Sequence, residues 1–314
     1  MNWQKELKKI IKGKIRFNQP LNKYTTWGVG GAAEVLVEPE DFSDLSRLIK
    51  FSRKEGLPIF VLGAGSNLLI SDKGLKGIVL KLSNPNFKKT EFKDNFAKAG
   101  AGLGLNRFVS LTKAQCLSGC EFLSGIPGTV GGALDMNAGA KDVFLSDSRY
   151  LSLSDLVTEV RVLGIDGKEK VLKKKDIRFG YRSSNLSKFV IISAKFKLKP
   201  KNKKEISNLI QRFLSYKRNI QDLRSRSAGC VFKNPNNISK NGNLTAGKMI
   251  DACAMKGYKV GQAEVSRIHA NFILNKGGAK AGEIFKLMRL IQKRVKQKFN
   301  VSLVPEVKII GSFK

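Results

Sequence analysis

The sequence EFLSGIPGTVGGALDMNAG, which runs from Glu121 to Gly139, decides how the rest of the chain is interpreted. It contains five of the chain's 30 glycines. Glycine loses more conformational freedom on folding than any other residue, so such a density is kept where backbone needs positive φ or close contact. Apolar residues such as Phe122, Ile126 and Leu134 stand between the glycines, unlike the polar residues of a flexible linker. Two interpretations remain open here: backbone amides that bind a nucleotide cofactor, or a glycine-rich turn between two buried strands.

Composition bounds the class of protein. The chain has 314 residues, of which 42% are hydrophobic, so we expect two or three folded units. Its net charge is +33, from 58 Lys and Arg against 25 Asp and Glu. The lysines are spread along the sequence instead of being concentrated on one tail or face with interleaved aromatic residues. Nucleic-acid binding is therefore the weaker hypothesis, and attraction of anionic small molecules the stronger one.

Targeting and metal-binding signals are lacking in the sequence. No run approaches the ~20 apolar residues of a membrane span, and the N-terminal MNWQKELKKIIKGK has no apolar signal-peptide core, so we expect a cytoplasmic protein that does not bind membranes. The four cysteines and the single histidine, His269, do not have the spacing of a zinc site, and we predict no metal. Cys116, Cys120 and Cys253 are interpreted as core thiols.

Apolar periodicity predicts a mixed helix and strand protein. Asp41 is a predicted helix N-cap, Gly56 the end of that helix, and Asp166-Gly167 a hairpin turn. The loop Gly63–Asn67 (GAGSN) should join two strands, because the sequence after it is apolar and lacks the dinucleotide fingerprint. The predicted elements are helix 3–12 ended by Gly13, strand 33–37, helix 42–55, strands 58–62, 78–82 and 96–99, helix 103–114, hairpin 158–172, strand 189–198, helices 203–219, 245–256 and 280–299, and strand 301–309.

Several motifs, in this order and spacing, resemble the family of UDP-N-acetylenolpyruvoylglucosamine reductases over nearly the whole chain. The similarity rests on short segments that are individually weak and jointly specific. They are YTTWGVGG at 24–31, LGAGSNLL at 62–69, GIPGTVGG at 125–132 followed by MNAGA, RFGYRS at 178–183, SAGCVFKNP at 227–235, AGKMID at 246–251 and LVPEV at 303–307. A long loop that one subgroup places between the RFGYR and SAG motifs is absent, so the chain resembles the shorter, second type.

This resemblance implies an α+β fold: a two-part FAD-binding domain of the PCMH/vanillyl-alcohol-oxidase type, followed by an α+β substrate-binding domain. The expected limits are an N-terminal helix over 1–20, FAD-binding subdomains over 21–84 and 85–200, and a substrate-binding domain over 201–314. The implied cofactors are FAD and NADPH. The implied activity is reduction of UDP-N-acetylglucosamine enolpyruvate to UDP-N-acetylmuramate for peptidoglycan precursor synthesis, by a protein expected to be a monomer.

The resemblance also assigns three catalytic residues: Arg182, Cys230 and Glu306. Hydride addition to the enolpyruvyl double bond leaves negative charge that is delocalised into the carboxylate, and the planar guanidinium of Arg182 matches such a group. Cys230 stands where the family usually has serine, and a thiol is a far stronger acid than an alcohol, so it is the expected proton donor. Glu306, predicted in a strand, is expected to share a hydrogen bond at the enolate. Without the motifs, Cys230 would be interpreted as a core thiol, and a surface arginine is the alternative interpretation of Arg182.

Further positions follow from the same resemblance. Tyr181 and Asn234 are the expected substrate-binding residues. The expected FAD-binding residues are Gly63, Ala64, Gly65, Ser66, Asn67, Gly125, Ile126, Pro127, Gly128, Gly131, Gly132, Asn137 and Gly139.

Two departures and one alternative accompany the resemblance. The polar stretch KDVFLSDSRYLSLSDLVTEV after Ala140 is longer than the family pattern, and Gln221-Asp222 replaces an expected Gln-Pro pair. The alternative function is that of another FAD-dependent oxidoreductase of the same fold.

Overall fold

The structure is a computed structural model that describes residues 2–142, 149–222, 225–235 and 244–313. The chain divides into two compact units, each assembled from segments that are separated in sequence. The first unit comprises Met1–Phe17, Val35–Ala64 and Gly77–Lys217. The second comprises Asn18–Glu34, Gly65–Lys76 and Arg218–Lys314. The domain limits predicted at residues 20, 84 and 200 stay a prediction.

Seven α-helices occur among the described residues: α1 (Asn2–Ile10), α2 (Phe42–Lys54), α3 (Leu105–Ala114), α4 (Val130–Asp135), α5 (Lys203–Ile220), α6 (Ala246–Ala252) and α7 (Ala281–Phe299). The predicted N-cap of α2 is confirmed, since Asp41 accepts from the Asp44 amide at 2.8 Å. Gly56 follows this helix with φ of 64°, as a helix-ending glycine does. The prediction that Gly13 ends helix α1 is wrong, because this helix ends at Ile10. The Gly13 amide instead donates to Asp44, and a Cβ there would lie 2.1 Å from the Glu38 carbonyl oxygen.

The described residues also form twenty short strands. They are β1 (Lys14–Pro20), β2 (Ala32–Glu38), β3 (Ile59–Val61), β4 (Leu68–Ile70), β5 (Leu75–Leu80), β6 (Thr90–Lys93), β7 (Phe96–Gly100), β8 (Leu117–Ser118), β9 (Gly139–Lys141), β10 (Tyr150–Ser152), β11 (Val157–Leu163), β12 (Glu169–Lys173), β13 (Phe179–Gly180), β14 (Ser183–Ser184), β15 (Val190–Lys197), β16 (Lys199–Pro200), β17 (Lys259–Val260), β18 (Ala263–Val265), β19 (Ile273–Asn275) and β20 (Lys308–Ile310).

The first unit is built around a five-stranded antiparallel sheet in the order β12-β11-β15-β7-β6. The hairpin predicted about Asp166-Gly167 is confirmed, with Leu163 opposite Glu169 in the β11–β12 pair. Val160, Phe196 and Phe108 are fully buried in the core of this unit. A separate sheet has the order β1-β2-β5-β3, in which β3 and β5 are parallel. The strands on either side of α2 are therefore not neighbours, because β5 lies between them.

The second unit has its own core around Trp27, Met249 and Ile284, all fully buried. The Trp27 indole donates to the Ile273 carbonyl at 2.7 Å, and the Asn275 amide donates back to the Trp27 carbonyl at 2.8 Å. The YTTWGVGG motif is therefore part of this core.

The second unit contains one antiparallel sheet and one parallel strand pair. Strands β17-β18-β19 form an antiparallel sheet, and β20 runs parallel to β4. The predicted closing strand 301–309 is shorter, since the strand itself is Lys308–Ile310 and Pro305 forms an isolated β-bridge with Phe232. Of the helices described above, none is long and apolar enough to span a bilayer.

Candidate active site

Arg182 lies at the tip of the hairpin formed by β13 and β14, in the first unit. Its backbone φ is 52°, in the left-handed region that few non-glycine residues adopt. Its Nη1 donates to the Gly139 carbonyl oxygen at 3.0 Å and to the Tyr150 hydroxyl. The Asn137 side-chain amide donates to the Gly180 carbonyl of the same hairpin at 3.1 Å. The first unit therefore brings together three predicted site residues: Arg182, Asn137 and Gly139.

The glycine segment matches neither sequence interpretation completely. It begins as a 3₁₀ turn, Glu121–Leu123, and its second half is helix α4. Thr129 caps this helix, because its hydroxyl accepts from the Gly132 amide at 3.3 Å. Gly125 lies between the two elements with φ of 73°. The sequence analysis missed the helix, because three glycines at or beside its start hide the apolar spacing.

Most amides in 125–132 already have acceptors within the first unit. The bonds are Gly125 to Asn106 Oδ1 and Ile126 to Leu123 O at 3.0 Å, Val130 to Leu103 O at 2.8 Å, Gly131 to Ala101 O at 2.9 Å, and Gly132 to Thr129 Oγ1. Pro127 has no N–H. Among the described residues, the amides of Gly128 and Thr129 have no such acceptor. Within 125–132, the expected donation to a phosphate is therefore confined to this pair, and the other predicted residues of this segment would meet a cofactor by close approach.

The GAGSN loop joins β3 to β4, which confirms that it connects two strands. In the first unit, Lys81 Nζ donates to the Gly63 carbonyl oxygen at 2.8 Å. Burial lowers the pKa of Lys81, and the Glu38 carboxylate partly offsets this effect. Lys81 therefore fixes the direction of the first carbonyl group in the loop.

In the second unit, two more carbonyl groups of this loop accept hydrogen bonds from the protein. The Thr26 amide donates to Gly65 O at 3.1 Å, and the Lys308 amide donates to Asn67 O at 3.0 Å. Gly65 has φ of 66°, and a Cβ on it would lie 1.9 Å from the Tyr24 carbonyl oxygen, so no other residue fits. With the carbonyl groups of Gly63, Gly65 and Asn67 bound to the protein, the loop resembles an anion-binding turn.

Cys230 and Glu306 belong to two segments of the second unit that are hydrogen-bonded to each other. The Glu306 amide donates to the Val231 carbonyl at 2.8 Å, and Cys230 forms a β-bridge with Phe272. The Asn67 side-chain amide donates to the Glu306 carbonyl at 3.1 Å. Glu306 lies in a bend that precedes β20, so its predicted place in a strand is wrong. The second unit therefore brings three predicted site residues, Asn67, Cys230 and Glu306, onto adjoining backbone.

The two expected substrate-binding residues have different surroundings. The Tyr181 ring is 38% exposed, and its centroid lies 5.4 Å from Arg182 Cζ. The Asn234 Oδ1 accepts from the Ala246 amide at 3.0 Å, so this side chain binds the first turn of α6. Both substrate roles stay predictions.

The predicted core thiols and His269 have different surroundings. Cys120 is buried, and burial raises the pKa of its thiol to about 12. Cys116 is exposed, so the prediction of a core thiol is wrong there. Cys253 is half-buried. His269 lies in the loop between β18 and β19, and its Nδ1 accepts from the Asn271 amide at 3.2 Å.

Comparison with known proteins places this geometry in a family. Residues 221–310 match the model of the UDP-N-acetylenolpyruvoylglucosamine reductase C-terminal domain, and residues 33–173 match an FAD binding domain. The chain is 39% identical over 310 residues to a UDP-N-acetylenolpyruvoylglucosamine reductase of Caldanaerobacter subterraneus, covering 98% of this chain and 97% of that protein. The chain belongs to this family.

Solved structures support the membership. The crystal structure of the Thermus caldophilus UDP-N-acetylenolpyruvylglucosamine reductase is 34% identical, covers 95% of this chain and 99% of its own, and has a TM-score of 0.78. A Phl p 4 variant described as a glucose oxidase is 15% identical with a TM-score of 0.51, over 65% of this chain and 45% of its own, and therefore shows the fold alone. The α+β fold with an FAD binding domain is confirmed.

The residues of this reductase-family chain fit FAD. Ser124 Oγ is buried without a hydrogen-bond partner among the described residues, and it stands next to Gly125. A Cβ on Gly63 would lie 3.0 Å from Thr129 Oγ1, so the loop and the N-cap of α4 approach each other within the first unit through bare backbone. Side-chain-poor backbone beside an unpaired hydroxyl is what a planar, phosphate-bearing cofactor needs.

Sequence analysis of this family member missed Lys217. Its Nζ donates to the Phe122 carbonyl at 3.2 Å and to the Ser124 carbonyl, and the residue is only 8% exposed. Burial and the Arg182 charge lower its pKa to about 8. The signal was available: Lys217 follows Ile206 and Phe213 along the buried stripe of α5, where an apolar residue is expected.

Proposed function

We propose that this protein catalyses the NADPH-dependent reduction of UDP-N-acetylglucosamine enolpyruvate to UDP-N-acetylmuramate. The observation that carries the proposal is the match to a reductase of that name over 98% of the chain, whose sequence contains the RFGYRS, SAG and PEV motifs. The reaction adds a hydride to one carbon of the enolpyruvyl double bond and a proton to the other. Its product is a peptidoglycan precursor, so the proposed role is in cell wall biogenesis, and through it in cell shape and division.

FAD, when bound, supplies the means of passing a hydride from the nicotinamide to the substrate. The residues proposed to hold it are those of the GAGSN loop, with Gly125–Gly128, Gly131, Gly132, Asn137 and Gly139. Asn137 has an indirect role in this proposal, because its side chain binds backbone groups of the protein. Its Nδ2 donates to the Gly180 carbonyl, and its Oδ1 accepts a hydrogen bond from the Ser154 amide at 3.0 Å. These two bonds fix the shape of the segment.

Arg182 is proposed to bind the enolpyruvyl carboxylate. A guanidinium is permanently charged and planar, and it pairs with a carboxylate through two parallel N–H donors. Negative charge grows on this carboxylate as the hydride arrives, so a fixed cation stabilises the transition state more than the ground state. Tyr181 is proposed to contact the substrate beside it.

Cys230 is proposed to donate the proton to the second carbon, and Glu306 to share a hydrogen bond with the developing enolate. The half-exposed thiol of Cys230 has the access that a proton donor needs. The bond from the Glu306 amide to Val231 fixes the spacing of the two backbone segments. Asn234 is proposed to contact the substrate from the same SAGCVFKNP motif.

An absorption spectrum followed by an NADPH oxidation assay tests the proposal. Purified protein should be yellow, and NADPH consumption should require UDP-N-acetylglucosamine enolpyruvate. Yellow protein that oxidises NADPH only with oxygen would support another oxidoreductase of the same fold. Colourless protein that binds nucleic acid would overturn the proposal. A preference for NADH in the same assay would overturn only the assignment of NADPH as the reductant. The cytoplasmic location and the monomeric state are part of the proposal, and gel filtration of the active protein tests the second.

A further inference from the structure

The Arg182 side chain is contacted by Gly139, Tyr150 and Tyr181. Besides donating to Gly139 O and to the Tyr150 hydroxyl, the guanidinium lies near two aromatic rings. Its Cζ is 5.5 Å from the centroid of the Tyr150 ring and 5.4 Å from that of Tyr181, within the range of cation–π attraction. The two rings meet edge to face, with centroids 5.9 Å apart. The cation therefore occupies a corner formed by two rings and one carbonyl group.

Arg182 depends on such support because its own element provides little. It lies in the two-residue connection between β13 and β14, and an arginine side chain has large rotamer freedom. The charge of buried Lys217 is close enough to Arg182 to contribute to the lowered Lys217 pKa, so it repels the guanidinium. Repulsion from this charge favours a dispersal of the side chain over several orientations, which the contacts with the neighbouring hairpin oppose.

Tyr150 and Gly139 are fitted to each other on the neighbouring hairpin of β9 and β10. A Cβ on Gly139 would lie 2.7 Å from Tyr150 Cε1 and 2.2 Å from the Leu151 carbonyl oxygen. The absence of a side chain at 139 therefore lets the Tyr150 ring lie against the backbone whose carbonyl accepts from Arg182. Both acceptors of Nη1 come from this one hairpin, so they move together.

We propose that Tyr150 is a positioning residue that sets the orientation of the Arg182 guanidinium for the substrate carboxylate, an inference that rests on the proposed function. A planar fork recognises a carboxylate only when its plane is fixed, and small errors in orientation are costly to rate. Tyr150 belongs to the long stretch after Ala140 that departs from the family pattern. Positions 143–148 of that stretch lie outside the described residues, whereas Tyr150 and its contacts lie within them.

The first test is a double-mutant cycle in the two half-reactions. Tyr150→Ala should leave FAD reduction by NADPH unchanged and slow the substrate-dependent reoxidation by about 10- to 100-fold, the effect of losing a hydrogen bond to a charged group. Tyr150→Phe keeps the ring and should retain a larger share of the rate. In an Arg182→Lys background, Tyr150→Ala should add little further loss, because the two residues act as one. Losses that multiply independently would overturn the inference.

The second test observes the Arg182 side chain directly by NMR, without substrate or NADPH. The Arg182 side-chain N–H signal, assigned by its disappearance in Arg182→Lys, should be ordered in the parent and averaged in Tyr150→Ala. Tyr258→Ala is the matched control, because Tyr258 is also 40% exposed and lies 6.0 Å from the Arg294 guanidinium, in the second unit. It should change neither the Arg182 signal nor the reoxidation rate.

The outcomes separate the two claims. An Arg182 signal that Tyr150→Ala leaves unchanged overturns the inference, whatever the activity. A parent protein that does not reoxidise with the enolpyruvyl substrate, but whose Arg182 signal responds to Tyr150→Ala, overturns the proposed function and supports the contact.

Discussion

Replacement of Lys217 by methionine should make the stability of the protein respond differently to pH. Methionine keeps an unbranched apolar stem and removes the ammonium group that donates to the Phe122 and Ser124 carbonyls. In the folded protein, burial and Arg182 lower the Lys217 pKa from 10.5 to about 8. Above this value the folded chain releases the Lys217 proton while the unfolded chain still holds it. The unfolded state then binds more protons, so the free energy of unfolding of the parent rises with pH in this window.

The magnitude follows from the size of the pKa shift. Each pH unit between about 8 and the ordinary lysine value adds at most ~1.4 kcal/mol, which gives roughly 3 kcal/mol over the whole window. The methionine variant lacks this contribution, so the stability difference between parent and variant should grow with pH by that amount. Two carbonyl groups without donors add a further offset of about 1–3 kcal/mol each, and this offset does not depend on pH.

Urea unfolding of both proteins from about pH 7 to about pH 10 measures the difference. Lys204→Met is the matched control, because Lys204 lies on the same helix, α5, and is exposed to water. The free energy of unfolding of this control, plotted against pH, should stay parallel to that of the parent. If the difference in free energy of unfolding between the parent and Lys217→Met is constant across this pH range, the argument is refuted. Lys217 would then keep its proton in the folded protein.

Three further predictions concern the proposed chemistry. Arg182→Lys keeps the charge but loses the planar fork, so stopped-flow should show substrate reduction falling by about 10²-fold while flavin reduction by NADPH is spared; equal slowing of both would indicate a structural role. Cys230→Ala should accept hydride normally and reoxidise with substrate about 10²- to 10⁴-fold more slowly, with much of the rate restored in Cys230→Ser; reoxidation at the parent rate would show that the proton comes from elsewhere. Gly128→Val should give folded but colourless protein by absorption and circular dichroism, because it crowds an amide that has no acceptor among the described residues; full flavin content would contradict the assignment.

Local chemistry made much of the fold predictable. The Asp41 cap, Gly56 and the Asp166-Gly167 turn depend on neighbours within a few residues, and each was identified correctly. Helix α4 was missed because its stability comes from the Thr129 cap and from burial of Val130 and Leu134, which outweigh the low helix propensity of its glycines.

The site was predictable only where motifs carry it. Arg182 was located by its motif, but the residues that hold its side chain were not, because Gly139 and Tyr150 reach it from another hairpin. Lys217 was also missed, because its interpretation as one more solvated lysine was natural in a chain with 58 Lys and Arg. A buried cation is visible in sequence only as a break in an apolar stripe.

The pairing of β4 with β20 determines when the second unit is able to form during synthesis. Leu68 lies opposite Lys308, and Trp27 is hydrogen-bonded to Ile273, so residues made early wait for partners that are made about 240 positions later. The first unit, whose sequence ends at Lys217, has all its residues some hundred positions earlier. At a translation rate of about 5–20 residues per second, the strand β4 edge stays unpaired for roughly ten seconds or more. The early segments of the second unit therefore spend this time with an unpaired strand edge, which is a site for mispairing with other chains.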